Sequence, residues 1–123
     1  VFTSLAGANV PAGATRITFY VKGTSVGKSL SFNVYRVGGV NYDVFNLGDL
    51  GTSAVTLQKA ELNSNNNGTN AYIGNIATNG QWVKVTLDIS TVELSNVAGQ
   101  NIFAIKVGKD VAYDVHIDQI SFE

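Results

Sequence analysis

From Gln81 to Ser90 the chain reads Gln-Trp-Val-Lys-Val-Thr-Leu-Asp-Ile-Ser, with Val83, Val85, Leu87 and Ile89 alternating against Trp82, Lys84, Thr86 and Asp88. Period-two alternation places each set on one face of an extended strand, so the aliphatic half can be buried together only within a sheet. A helix would scatter the same side chains around its circumference. Asn79-Gly80 directly upstream is a strong turn signal. Whatever else the chain does, this stretch commits it to a sheet with one dry and one wet face.

The rest of the chain follows the same grammar. Arg16–Lys22 sets Ile17, Phe19 and Val21 against Thr18, Tyr20 and Lys22, and a later run sets Leu30, Phe32 and Val34 against Ser31, Asn33 and Tyr35. Gly23–Lys28 between them reads as a loop, and the two strands as an antiparallel pair. After a Gly38-Gly39 turn a further strand is expected near Val40–Leu47, where Tyr42, Val44 and Phe45 cannot share a face without a bulge. Val1–Leu5, Ala71–Ala77 and Ile102–Val107 also read as strands, the last with Phe103, Ile105 and Val107 in register. Ala54–Leu62 fits a strand through Val55, Leu57 and Lys59, with two helical turns as the alternative. Asn63–Asn70 reads as a polar loop carrying the glycosylation-type triplet Asn67-Gly68-Thr69, and Gly108-Lys109-Asp110 as a turn. In Tyr113–Phe122 the parity of Tyr113, Val115 and Ile117 switches to that of Ile120 and Phe122, so a bulge near Gln119 is needed to bring both sets to the core. Eight or nine short strands without a convincing helix predict an all-β sandwich or barrel.

At 123 residues the chain suits one domain with a real core. Charged residues make up only 14%, against roughly 25% in an average soluble domain; Gly, Asn, Ser and Thr fill the difference. A net charge of -1 with scattered Lys and Arg advertises no basic surface to nucleic acid or to an anionic membrane. With no Cys there is no disulfide, thiolate metal site or Cys nucleophile. No apolar run approaches the roughly 20 residues of a membrane span, so membrane insertion is not expected. The chain does not begin with Met and is expected to be a domain of a longer, multidomain protein.

Few residues suggest catalysis. His116 lies between Asp114 and Asp118, all three opposite Val115 and Ile117. That spacing could ligate a metal through alternate strand residues, but it equally describes a solvated strand face, which is the reading favoured here. No Gly-x-Ser-x-Gly elbow is present, and an enzyme is not expected. The outward parities instead collect Tyr20 and Lys22, Asn33 and Tyr35, and Asp114 and His116. Aromatic rings beside amide and charged groups suit a sugar, whose apolar face stacks on a ring while its hydroxyls bond the polar neighbours. Exposed Tyr is also favoured on any sheet surface. Trp82, outward at the head of its strand, is either a stacking platform or a cap on the core, and Tyr42 is a second-line binding candidate.

Gly80-Gln81-Trp82-Val83-Lys84-Val85-Thr86-Leu87-Asp88-Ile89-Ser90, the C-terminal Tyr113-Asp114-Val115-His116-Ile117-Asp118-Gln119-Ile120, and Thr18-Phe19-Tyr20-Val21-Lys22-Gly23 together resemble the carbohydrate-binding modules attached to bacterial polysaccharide-degrading enzymes. Such modules have a galactose-binding-domain-like fold. The resemblance implies an antiparallel β-sandwich of jelly-roll type. It also implies a secreted or extracellular, non-catalytic domain, covalently linked to catalytic or other domains and holding a polysaccharide or oligosaccharide. Many members of that family carry a structural calcium, with an Asp of the final strand as one ligand; Asp118 matches that position. Their further acidic ligands usually lie near the N-terminus, where this chain has no acid before Asp43; loop or main-chain carbonyls would have to serve instead. The competing expectation is an extracellular adhesion or protein-interaction sandwich without a sugar site.

Overall fold

The computed structural model describes residues 2–5, 10–28, 30–61, 74–95, 97–107 and 113–123. The expected Asn63–Asn70 loop with its Asn67 triplet, and the expected Gly108-Lys109-Asp110 turn, lie outside these residues. Among the described residues there is no helix, and nine strands form two sheets. They are β1 (Phe2–Leu5), β2 (Arg16–Lys28), β3 (Leu30–Tyr35), β4 (Tyr42–Asn46), β5 (Val55–Leu57), β6 (Gly74–Ala77), β7 (Val83–Asp88), β8 (Asn101–Val107) and β9 (Asp114–Phe122). The first sheet runs β1-β8-β3-β4. In the second, β5 borders β7, β7 and β6 follow one another along one side of β2, and β9 takes the other side. Early strands thus pair with late ones (β1 on β8, β2 on β7 and β9) in an all-β, sandwich-like arrangement of two sheets. One pairing departs from the antiparallel expectation: β5 runs parallel to β7.

The alternating residues form the core as their period dictates. Ile17, Phe19 and Val21 of β2 and Val83, Val85 and Leu87 of β7 are buried, and they share one apolar cluster with Leu30, Phe32 and Val34 of β3. The two layers meet where Phe19 stacks on Phe32, ring centroids 4.3 Å apart. Phe103 of β8 and Phe122 of β9 make a second cross-layer contact at 6.3 Å. The bulge expected near Gln119 is present. Register between β2 and β9 slips between Thr18 and Tyr20, and Gln119 takes φ 57. Val115 and Ile117 before it, and Ile120 and Phe122 after it, therefore all pack against the core.

Four expectations are corrected. Gly23–Lys28 is not a loop but the far half of β2, and β2 and β3 lie in different sheets instead of pairing. Gly23 permits this, because it adopts φ 140 and a Cβ there would collide with the carbonyl oxygen of Asp114 on β9. The parity left open in β4 resolves without a bulge and is not among these corrections: Asp43 and Phe45 meet Val34 and Phe32, while Tyr42 and Val44 sit on the other face opposite Tyr35 and Asn33. The strand within Ala54–Leu62 covers only Val55–Leu57, and Val107 is exposed at the end of β8.

Candidate functional site

The outer face of the second sheet is where its outward residues come into rows. Antiparallel register sets Tyr20 opposite both Lys84 of β7 and Asp118 of β9, and Lys22 opposite His116. Directly opposed residues project from the same face. Trp82 precedes β7 and joins the row containing Lys22, whose Nζ stands 5.0 Å from the centroid of the indole ring. That cation–π contact orients a ring which is otherwise 45% exposed. Tyr20, Trp82, Asp118 and Gln119 line an open cleft of about 250 Å³.

The polar groups of this cleft are largely uncommitted. One Asp118 oxygen, Oδ1, accepts the Gln119 N–H at 2.8 Å, which fixes the carboxylate at the bulge. Among the described residues the second Asp118 oxygen, the Tyr20 hydroxyl and the Trp82 indole N–H have no hydrogen-bond partner. His116 Nε2 lies 3.8 Å from Asp114 Oδ1, both side chains well exposed, so Asp-x-His-x-Asp forms a solvated strand face. Among the described residues no group of three His, Asp or Glu side chains converges as metal ligands.

The residues expected on one aromatic face divide between two sheets. Tyr20, Lys22, Asp114 and His116 share the second sheet with Trp82 and Asp118. Asn33 and Tyr35 belong to β3 in the first sheet, where Asn33 is only 8% exposed and Tyr35 packs edge-on against Tyr42 at 5.3 Å. Burial and the Tyr42 hydroxyl push the Tyr35 phenol pKa upward. Tyr35 and Tyr42 are thus partners of one another, not of Tyr20. Period-two parity says which residues point outward from a strand, but not which sheet the strand joins. Gln119 is the residue that sequence reading missed as a cleft wall; its bulge was the available signal.

A larger cleft of about 450 Å³ lies beyond the C-terminal end of β7, lined by Arg36, Asp43, Lys59, Glu61, Thr91 and Glu93. It holds no aromatic side chain, and its Arg36 is engaged by Asp43 through two hydrogen bonds of 2.8 and 3.2 Å. That geometry is a structural clamp. Comparison of the chain with protein-family models, with curated proteins and with solved structures returns no match.

Proposed function

We propose that this domain is a non-catalytic carbohydrate-binding sandwich of extracellular type that holds a polysaccharide on the outer face of its second sheet. The observation that supports the reading is the Tyr20–Trp82 cleft: two aromatic side chains, one held by Lys22, flank a carboxylate with a free oxygen. A pyranose ring stacked on Trp82 would place its hydroxyls toward Asp118 as acceptor and Lys22 as donor. Such polar groups set orientation while the rings supply most of the contact area. The sequence resemblance points the same way and extends to a parent chain in which this domain keeps an enzyme on its substrate.

Affinity electrophoresis of the domain against a panel of soluble polysaccharides tests the reading. At least one polymer should retard the native protein. Trp82→Ala should weaken retardation about tenfold, the equivalent of roughly 1.4 kcal/mol, and Tyr20→Ala should weaken it in the same direction. Tyr35→Ala, on the other sheet, should leave it unchanged. Each gel is run with calcium and with chelator, because the resemblance sets Asp118 at a calcium-ligand position; loss of retardation under chelation would bring the ion into the site. Equal mobility of all variants in every gel would abandon the sugar site in favour of a protein-interaction module.

A further inference from the structure

We infer that Asn79 is a site of spontaneous, non-enzymatic deamidation, and that its conversion acts on the neighbouring Trp82. Asn79 and Gly80 are the exposed central residues of a turn closed by a 3.0 Å hydrogen bond from the Gln81 N–H to the Thr78 carbonyl. Their φ values are 53 and 73, both of the sign that favours Asn-Gly in tight turns. Gly80 presents an unhindered amide. A Cβ built on it would meet nothing within 4 Å, and among the described residues its N–H donates to no acceptor.

The chemistry needs only water. The Gly80 amide nitrogen loses its proton and attacks Asn79 Cγ; the N–Cγ bond forms, the Cγ–Nδ2 bond breaks, and ammonia leaves. Water then opens the five-membered imide at either carbonyl, giving aspartate or isoaspartate, with no change in oxidation state. Both products add a negative charge near Lys22 and Trp82. Isoaspartate also adds a methylene to the main chain between β6 and β7.

That link has little slack. β6 and β7 are both registered against β2, and the buried Thr78 hydroxyl accepts the Gly23 N–H at 3.0 Å. The added length must therefore be taken up between Thr78 and Val83, the segment that carries Trp82. Conversion would age the cleft from its rim.

Three of the other described asparagines offer comparison within the same molecule. Asn33 is buried, Asn75 Oδ1 accepts the Gly27 N–H at 2.7 Å, and Asn101 Nδ2 donates to the Gly39 carbonyl at 3.3 Å. Each precedes a branched residue, Val34, Ile76 or Ile102. The intact folded protein is incubated in mildly alkaline buffer, digested at intervals and mapped by mass spectrometry, with isoaspartate detected by enzymatic methylation. Asn79 should convert about tenfold or more faster than Asn33, Asn75 and Asn101, a barrier difference of at least roughly 1.4 kcal/mol. Conversion of Asn79 at the pace of those three would overturn the assignment. Trp82 emission should change more in the isoaspartate-containing fraction than in freshly prepared Asn79→Asp. Equal emission would remove the main-chain half of the inference, leaving only the charge.

Discussion

Arg36 and Asp43 set the residue-scale terms of this fold. The Asp43 side chain is 5% exposed and that of Arg36 26%, so the carboxylate is charged where water is scarce. The Asp43 hydrogen bonds push the Arg36 pKa upward, against the smaller effect of burial. Arg36→Met would leave the carboxylate buried without its counter-ion and should cost about 3 kcal/mol in urea denaturation. Arg36→Met/Asp43→Leu should recover part of that loss, because removing both charges also removes the desolvation penalty. A gentler clamp holds the last described residue. The Glu123 carboxylate accepts the Thr18 hydroxyl at 2.6 Å and the Arg16 guanidinium at 3.3 Å, which together hold its pKa below the ordinary glutamate value. A depressed folded-state pKa stabilises the ionised form. Its contribution is therefore complete above the unfolded-state value and is lost as pH falls through the folded one. The melting temperature of the native protein should fall more steeply than that of Glu123→Gln across that acid window; parallel curves would deny the clamp any role.

At the scale of elements, β2 is the spine, since β6, β7 and β9 all pair with it. Its length depends on Gly23, which lets the strand pass close under Asp114. Gly23→Ala should cost about 2 kcal/mol or more, from a backbone conformation nearly restricted to glycine and from the collision with β9. Thermal melting would show the loss. Hydrogen exchange should rise first at Val115–Ile117 on β9, and protection unchanged there would place the strain elsewhere. Gly23 also shows where sequence reading stopped. Alternation located the strand around Phe19 and the one around Phe32, and the parity switch after Ile117 located the Gln119 bulge. A glycine followed by Thr24, Ser25 and Gly27 looks like a loop, because the signal for close backbone approach is the absent side chain itself. Pairing was equally hidden. The register of Tyr20 with Asp118 joins residues distant in sequence, and no local pattern encodes it. The Tyr20–Lys22–Trp82 group was therefore legible as outward residues, while the exclusion of Asn33 and Tyr35 from their face was not.

For the whole molecule, these facts separate the stabilising clamp from the proposed binding cleft. The Arg36–Asp43 clamp sits beyond the C-terminal end of β7 and the Tyr20–Trp82 cleft at its N-terminal end. The two share no side chain. Between them lies the packed core, with Phe19 against Phe32 holding the layers together. Sites that are well separated and share no partner contribute additively, within about 0.5 kcal/mol. If the cleft holds a polysaccharide as proposed, Arg36→Met should therefore lower the denaturation midpoint while the folded fraction keeps the retardation of the native protein. Trp82→Ala should do the reverse, because an exposed ring contributes little to the core. The double variant should show both losses at their single-variant sizes, measured as a urea midpoint and a gel retardation on the same preparation. Coupling above that limit would mean that the cleft borrows its shape from the far end of the sandwich. The sheet would then transmit strain along β7, and the exposed Trp82 ring would be one end of a mechanical element, not a fixture on a rigid face.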